Sequence, residues 1–277
     1  MKNCLSTDLD VQLSDFTVSL SSSILYEDSD GNWQNLTNLS STENRVWIDY
    51  ADIPKDMEHA AVAIEDKRFY KHKGVDWYRT TGAFINMFLS MKNDFGGSTI
   101  TQQLAKNLFP RDTVRRQSAL LRKGKLVLAK FKEWITALKL EYNYTKEEIA
   151  AMYLNTVEFG SNAYGIKSAA HTFFNKEPHE LNIQEAALLA GLVKGPTMYS
   201  PRRNPENALA RRNLVLDRMA SAGAITRHQR DSIAALPILL NYKPVSHNEG
   251  PATYFREMLR LTMNLSLIHI SEPTRRS

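Results

Sequence analysis

The sequence predicts a mainly α-helical domain preceded by a short β-rich arm. Three observations carry the prediction. Apolar residues recur at helical spacing from Pro54 to about residue 236. Helix-start signals punctuate that stretch. The first 50 residues read instead as Ser-rich chain around one hairpin.

The arm, residues 1–50, has its turn at Asp28-Ser29-Asp30-Gly31, flanked by Ile24, Tyr26, Trp33 and Leu36. Pro54 then opens a segment in which Met57, Ala60, Ala61 and Ile64 share a helix face. Thr145 with Glu148 forms a capping box ahead of Ile149, Met152 and Tyr153. Asn182 with Glu185 is a variant of that device before Ala186–Val193, and Thr226 with Gln229 starts a further helix. Asn204-Pro205 begins a helix carrying Leu209, Val215 and Met219, with Gly223 as its stop. On this reading a helical domain spans 51–225 and a C-terminal linker 226–265. The tail 266–277 (Ser-Leu-Ile-His-Ile-Ser-Glu-Pro-Thr-Arg-Arg-Ser) reads as translated vector sequence, which makes the chain a fragment, and it is set aside from the fold.

Composition narrows the function. With 277 residues, 43% hydrophobic and 23% charged, collagen-like, low-complexity and disordered classes are excluded. The single cysteine, Cys4, excludes a disulfide framework and any cysteine metal cluster. No apolar run reaches the roughly 18 residues of a membrane span, and 1–20 is no signal peptide. The chain as written is expected to be neither anchored nor exported. Between Lys106 and Lys132 there are nine basic residues against one acidic, Asp112. The remainder holds 26 basic against 29 acidic, so all of the net +5 sits in this stretch. Such a block attracts phosphate, nucleic acid or an anionic membrane surface, or is a solvated helix face.

Three segments carry candidate chemistry. Glu65 follows the apolar run Ala60–Ile64, and a carboxylate leaving an apolar helix end suits general acid–base work. The plain alternative is a helix-end charge, just as His72 could be a structural imidazole. Gly96-Gly97-Ser98-Thr99-Ile100-Thr101-Gln102-Gln103 runs into Leu104-Ala105-Lys106-Asn107. Ser98 or Thr99 caps this helix, whose polar N-terminus makes a ready anion or sugar site. Its bland counterpart is a solvated helix. Third, Glu133 in Lys130-Phe131-Lys132-Glu133-Trp134 stands between the basic block and an apolar helix. Two glutamates at apolar–polar boundaries fit chemistry at a glycosidic centre, whereas the alternative for Glu133 is a surface ion pair.

Together these segments resemble the ordered signatures of the peptidoglycan glycosyltransferase domain. This is glycosyltransferase family 51, the N-terminal catalytic half of class A penicillin-binding proteins. The matching residues are Glu65-Asp66-x-x-Phe69-x-x-His72-x-Gly74, Gly97-Ser98-Thr99-Ile100-Thr101-Gln102-Gln103-Leu104-x-Lys106-Asn107 and Lys130-x-x-Glu133. Two later blocks agree, Tyr144 to Asn155 and Ala169 to Pro196.

The resemblance implies a lysozyme-like, mainly helical fold. It implies polymerisation of lipid II into β-1,4-linked glycan strands, with undecaprenyl pyrophosphate as the leaving group. By position Glu65 would be the general base and Glu133 would assist pyrophosphate departure, with Lys106 and Lys130 neutralising its charge. Ser98, Thr99, Gln102, Gln103 and Asn107 would line the sugar and phosphate cleft. Asp66, Phe69 and His72 are counted with them as substrate-binding residues. The resemblance leaves room for a divalent metal, Mg or Mn, at Glu133. Lipid II, the nascent strand, the membrane surface and other cell-wall synthesis proteins are the implied partners. Nucleic acid is not, because it leaves the two glutamates unexplained. The parent protein would work at the extracytoplasmic face of the bacterial cell membrane, and the apolar Gly82–Met91 would form part of a flap entering it.

The chain departs from the family pattern in several places. Ala129 stands where arginine usually precedes the lysine, and about a dozen extra residues separate Lys106 from Glu133. Asn175 stands where glycine is common. The membrane anchor usual in the family is not expected within these 277 residues, and neither Ser-x-x-Lys nor Lys-Thr-Gly of a transpeptidase occurs in them. These departures motivate an alternative, a catalytically impaired module that binds lipid II or glycan. A lysozyme-like hydrolase fits less well, since it needs no pyrophosphate-binding cations.

Overall fold

The computed structural model describes residues 22–27, 29, 31–39, 44–82, 97–109, 119–244 and Met258. Strands β1 (Ser22–Glu27) and β2 (Trp33–Leu39) pair antiparallel. Gly31 takes φ +79° in their turn, so the arm's hairpin forms as expected.

The rest is mainly helical with one small sheet. β3 (Asn44–Arg45) runs parallel to β5 (Ala163–Tyr164), and β4 (Glu158–Gly160) pairs antiparallel with β5 on its other side. The helices, in chain order, are α1 (Lys55–Glu65), α2 (Ile100–Leu108), α3 (Ala119–Asn143) and α4 (Lys146–Thr156). After the sheet come α5 (Ile166–Phe174), α6 (Ile183–Leu192), α7 (Pro205–Ser221) and α8 (Arg227–Ala234). The apolar stretch at 83–91, the insertion around 110–118 and the tail at 266–277 lie outside the described residues.

Local signals account for the helix ends. Thr145 with Glu148, Asn182 with Glu185 and Thr226 with Gln229 all close reciprocal capping boxes. Pro205 occupies the first turn of α7, and Gly223, at φ +79°, follows its end.

α6 is the centre of the body. It is buried along most of its length and packs on α1 and α7. Its small residues Ala186, Ala187, Ala190 and Gly191 let neighbouring helices come close. A Cβ at Gly191 would stand 3.1 Å from the Arg211 side chain. Met57 and Ala60 of α1 and Val215 and Met219 of α7 are fully buried in the same core.

A second layer frames α2. Leu104 is fully buried, and α2 packs on both α3 and α4. Thr101 of α2 donates its hydroxyl to Glu141 Oε1 of α3 at 2.6 Å, and Lys146 Nζ of α4 reaches the same oxygen at 2.7 Å. Gly74, at φ +79°, is required where the chain passes α3, since a Cβ would come 2.7 Å from the Ala137 carbonyl oxygen.

The body extends past both boundaries read from the sequence. Upstream of residue 51, the buried Asn155 side chain accepts from the Ile48 N–H at 3.0 Å and donates to the Ile48 carbonyl at 2.9 Å. A fully buried amide that exchanges both bonds with one backbone unit makes residues 44–50 part of the fold. Beyond residue 225, Arg212 is fully buried and donates to the carbonyls of Ile233 and Ala234 at the end of α8. Its burial lowers the guanidinium pKa. Asn241 and Lys243 then bond through their N–H groups to the Phe173 and Thr172 carbonyls.

Candidate active site

Glu65 is the last residue of α1 and is mostly buried, its side chain 16% exposed. Its Oε2 accepts from Gln103 Nε2 of α2 at 2.9 Å. Its Oε1 faces Arg211 of α7, whose guanidinium nitrogen is 3.8 Å away. Arg211 is itself held, donating to the Gly191 carbonyl at 3.4 Å and lying 5.5 Å over the Tyr199 ring. Arg79 donates to the Glu65 carbonyl at 3.1 Å, which ties down the backbone behind the carboxylate.

The second carboxylate, Glu133, lies on α3 and is buried. Lys130, one turn earlier, reaches its Oε2 at 2.6 Å and lies 3.3 Å from the Ser98 hydroxyl oxygen. The two glutamates are therefore attached to opposite ends of one six-residue stretch. Ser98 holds the Lys130–Glu133 pair, and Gln103 holds Glu65. Lys106 and Asn107 stand exposed farther along α2.

Asp66 explains why that stretch is rigid. It is fully buried, and its Oδ2 accepts from His72 Nε2 at 2.8 Å and from the Ile100 N–H at 3.1 Å. A carboxylate at the first N–H of α2 also satisfies the helix dipole. Arg79 lies 3.6 Å from its other oxygen.

Several residues expected to bind substrate are used otherwise. Phe69 is fully buried, stacked under Lys146 with the ammonium 4.4 Å from the ring centroid. Thr99 is fully buried, its hydroxyl donating to the Gly74 carbonyl at 2.5 Å and accepting from the Gln102 N–H. Gln102 is buried too, and its Oε1 accepts the Thr99 N–H to close the capping box. With Asp66 and the buried His72, these side chains are engaged in contacts within the body at the start of α2. These contacts have a physical cause: a helix N-terminus inside the body needs its donors satisfied by protein groups. Ser98, Gln103, Lys106, Asn107, Lys130 and the two glutamates remain as residues that can meet a ligand.

Three residues of this arrangement were missed by sequence reasoning. Arg211, Arg79 and Tyr153 reach Glu65 or its partner from α7, from the segment after Gly74 and from α4. Only Tyr153 lay in a recognised block, where it read as a core position.

Among the described residues no group of three or more His, Cys, Asp or Glu side chains gathers to hold a metal ion. Glu133 has the Lys130 ammonium on one oxygen, and among the described residues no cage of three such side chains forms around it for Mg or Mn. The charge at this end of the cleft is met by lysine.

The family profile described as Transglycosylase matches residues 32–220. The chain belongs to the transglycosylase family. Penicillin-binding protein 1F of Bacillus subtilis is 42% identical over 67% of this chain and 24% of its own length. Penicillin-binding protein 1A of Neisseria flavescens is 39% identical over 79% of this chain and 26% of its own. The 1A protein of Aquifex aeolicus is 41% identical over 71% and 26%. The chain thus spans about a quarter of the length of the curated relatives it matches. Penicillin-binding protein 1A of Haemophilus influenzae, a solved structure, is 22% identical over 89% of this chain and 25% of that one, with a TM-score of 0.45.

One departure from the transglycosylase pattern is resolved by geometry. Asn175 caps α5 in the left-handed region at φ +51°, where asparagine is the best-tolerated substitute for glycine. Ala129 is half-buried beside Lys130 and supplies no charge.

Proposed function

We propose that this transglycosylase domain polymerises lipid II into β-1,4-linked glycan, with inversion at the anomeric carbon and release of undecaprenyl pyrophosphate. The 4-hydroxyl of an incoming lipid II attacks the anomeric carbon of the growing strand. Glu65 takes the hydroxyl proton as the new C–O bond forms and the bond to pyrophosphate breaks. Lys130, positioned by Glu133 and Ser98, meets the charge that accumulates on the leaving group, with Lys106 on the same helix as a second cation.

One observation carries this reading. A carboxylate suited to act as base and a lysine suited to a phosphate leaving group are both tethered to residues 98–103. A single rigid frame therefore sets the relation between the attacking and departing oxygens.

An apolar stripe beside Lys130 supports work at a lipid surface. Phe131, Trp134 and Leu138 share a face of α3, and Trp77 stacks edge-on against Trp134 at 5.8 Å. Phe131, Leu138 and Trp77 are exposed. Among the described residues no helix is long and apolar enough to cross a membrane. We place this face against the extracytoplasmic leaflet of the bacterial cell membrane, where the lipid tail of the substrate would lie.

Labelled lipid II in detergent, incubated with the chain and with Glu65→Gln, tests the assignment. Glycan ladders from the parent chain that fall by roughly 10³ in the variant support it. The loss of cationic charge at Ala129 favours the second reading, a binding module with impaired catalysis. That reading requires both proteins to bind the lipid-phosphate mimic moenomycin while neither makes polymer.

A further inference from the structure

We propose that Tyr153 is a positioning residue that orients Glu65 through Gln103. The inference rests on the reading of Glu65 as the base. Tyr153 lies on α4, is 1% exposed, and donates its hydroxyl to Gln103 Oε1 at 3.2 Å. Gln103 in turn donates Nε2–H to Glu65 Oε2 at 2.9 Å. The direction of this chain follows from the chemistry of its ends. An ionised carboxylate only accepts, so the amide must turn its NH₂ toward Glu65 and its oxygen toward Tyr153. Tyr153 can then only donate. Burial, with the charges of Glu65 and Asp66, pushes its phenol well above the ordinary range, so the proton it donates is retained.

The consequence lies in the two oxygens of Glu65. Oε2 is fixed by Gln103, whereas Oε1 has the Arg211 guanidinium at 3.8 Å, beyond hydrogen-bonding distance. Oε1 thus keeps a lone pair for the substrate hydroxyl, and the tether on Oε2 aims it. Without the Tyr153 hydroxyl the oxygen of this half-buried amide loses its partner, and the amide is free to turn that oxygen onto the carboxylate.

The test is Tyr153→Phe, alone and combined with Gln103→Ala, in the 277-residue chain. Two measurements are made: lipid II polymerisation, and the side-chain amide resonances of Gln103 by ¹⁵N NMR. The proposal expects Tyr153→Phe to lower kcat about tenfold with KM nearly unchanged, because a positioning contact acts on the reacting geometry. It expects no further loss in the Gln103→Ala background, since the hydroxyl acts only through that amide. It also expects the Gln103 amide pair to move toward the shifts of a solvent-exposed glutamine while backbone resonances elsewhere stay in place. An unchanged Gln103 amide, or an equal loss in both backgrounds, overturns the proposal. If the parent chain makes no polymer, the reading of function fails, and the amide measurement alone decides the tether.

Discussion

The two carboxylates of the site are held in different ways. Glu65 is surrounded by groups from distant parts of the chain: Gln103 is 38 residues away, and Arg211 comes from α7. Glu133 is paired with Lys130 from one turn earlier on its own helix, and Ser98 meets the same lysine from the start of α2. Glu65, the proposed base, is thus built into the core, and its geometry depends on four packed helices. The proposed leaving-group end is a local pair laid along one long helix. A fixed base and a locally held cation suit a reaction in which the attacking hydroxyl must be placed while negative charge grows on the other partner.

After Glu65→Gln, breaking the local pair should have the largest effect. Lys130→Ala removes the cation and leaves Glu133 buried without it, so polymerisation should fall roughly 100-fold. Moenomycin affinity should fall in parallel, measured by fluorescence anisotropy. Glu133→Gln should cost less than Lys130→Ala if the glutamate acts by placing the lysine. An equal or larger cost would assign it a direct role.

Arg211→Lys probes the other end. It keeps a charge near Glu65 but loses the fork that reaches the Gly191 carbonyl and lies over Tyr199. The rate should drop by about tenfold with little change in moenomycin binding, so the two ends separate by readout. Ala129→Arg sharpens the comparison from the opposite direction. A cation added beside Lys130 should raise moenomycin affinity by roughly two- to fivefold, an effect that shrinks at high salt.

The smallest effect on rate is expected at Glu58, which lies outside the site. It is buried and accepts from Tyr70 and Tyr50, with Lys55 at 3.3 Å. Burial alone would raise its pKa, but those bonds outweigh burial and the net shift is downward. A carboxylate with a depressed folded pKa contributes stability above its unfolded pKa and loses it as pH falls through the folded value. Glu58→Gln should therefore destabilise the chain by about 1–2 kcal/mol at pH 7. That difference should shrink in acid unfolding curves below about pH 4, the unfolded value for glutamate. Polymerisation should be unchanged.

Much of the helix framework was legible because its signals are local. The boxes at Thr145, Asn182 and Thr226 each involve a side chain and an N–H three residues apart, so composition and spacing suffice. Glu65, Gln103, Lys130 and Glu133 drew attention for another reason: they stand in the ordered blocks through which the chain resembles the glycosyltransferase family. Thr99, Gln102 and Asp66 show the limit of such a reading, because polar side chains also serve to seal a buried helix start. Tyr153 and Arg211 escaped notice because each is an unremarkable residue on an amphipathic helix until the fold turns it toward Glu65.

The amino-acid sequence by itself determined the mainly helical body, the hairpin arm and the concentration of positive charge before Glu133. These follow from spacing, capping and charge, which act over a few residues. Only the tertiary structure decided which polar side chains face the cleft, which lie beneath it, and that Gln103, Tyr153 and Arg211 converge near Glu65. Such contacts join residues up to 146 positions apart, and no local rule specifies them. They form when burying the apolar faces of α1, α2, α4 and α7 leaves each enclosed polar group to find a partner inside the body.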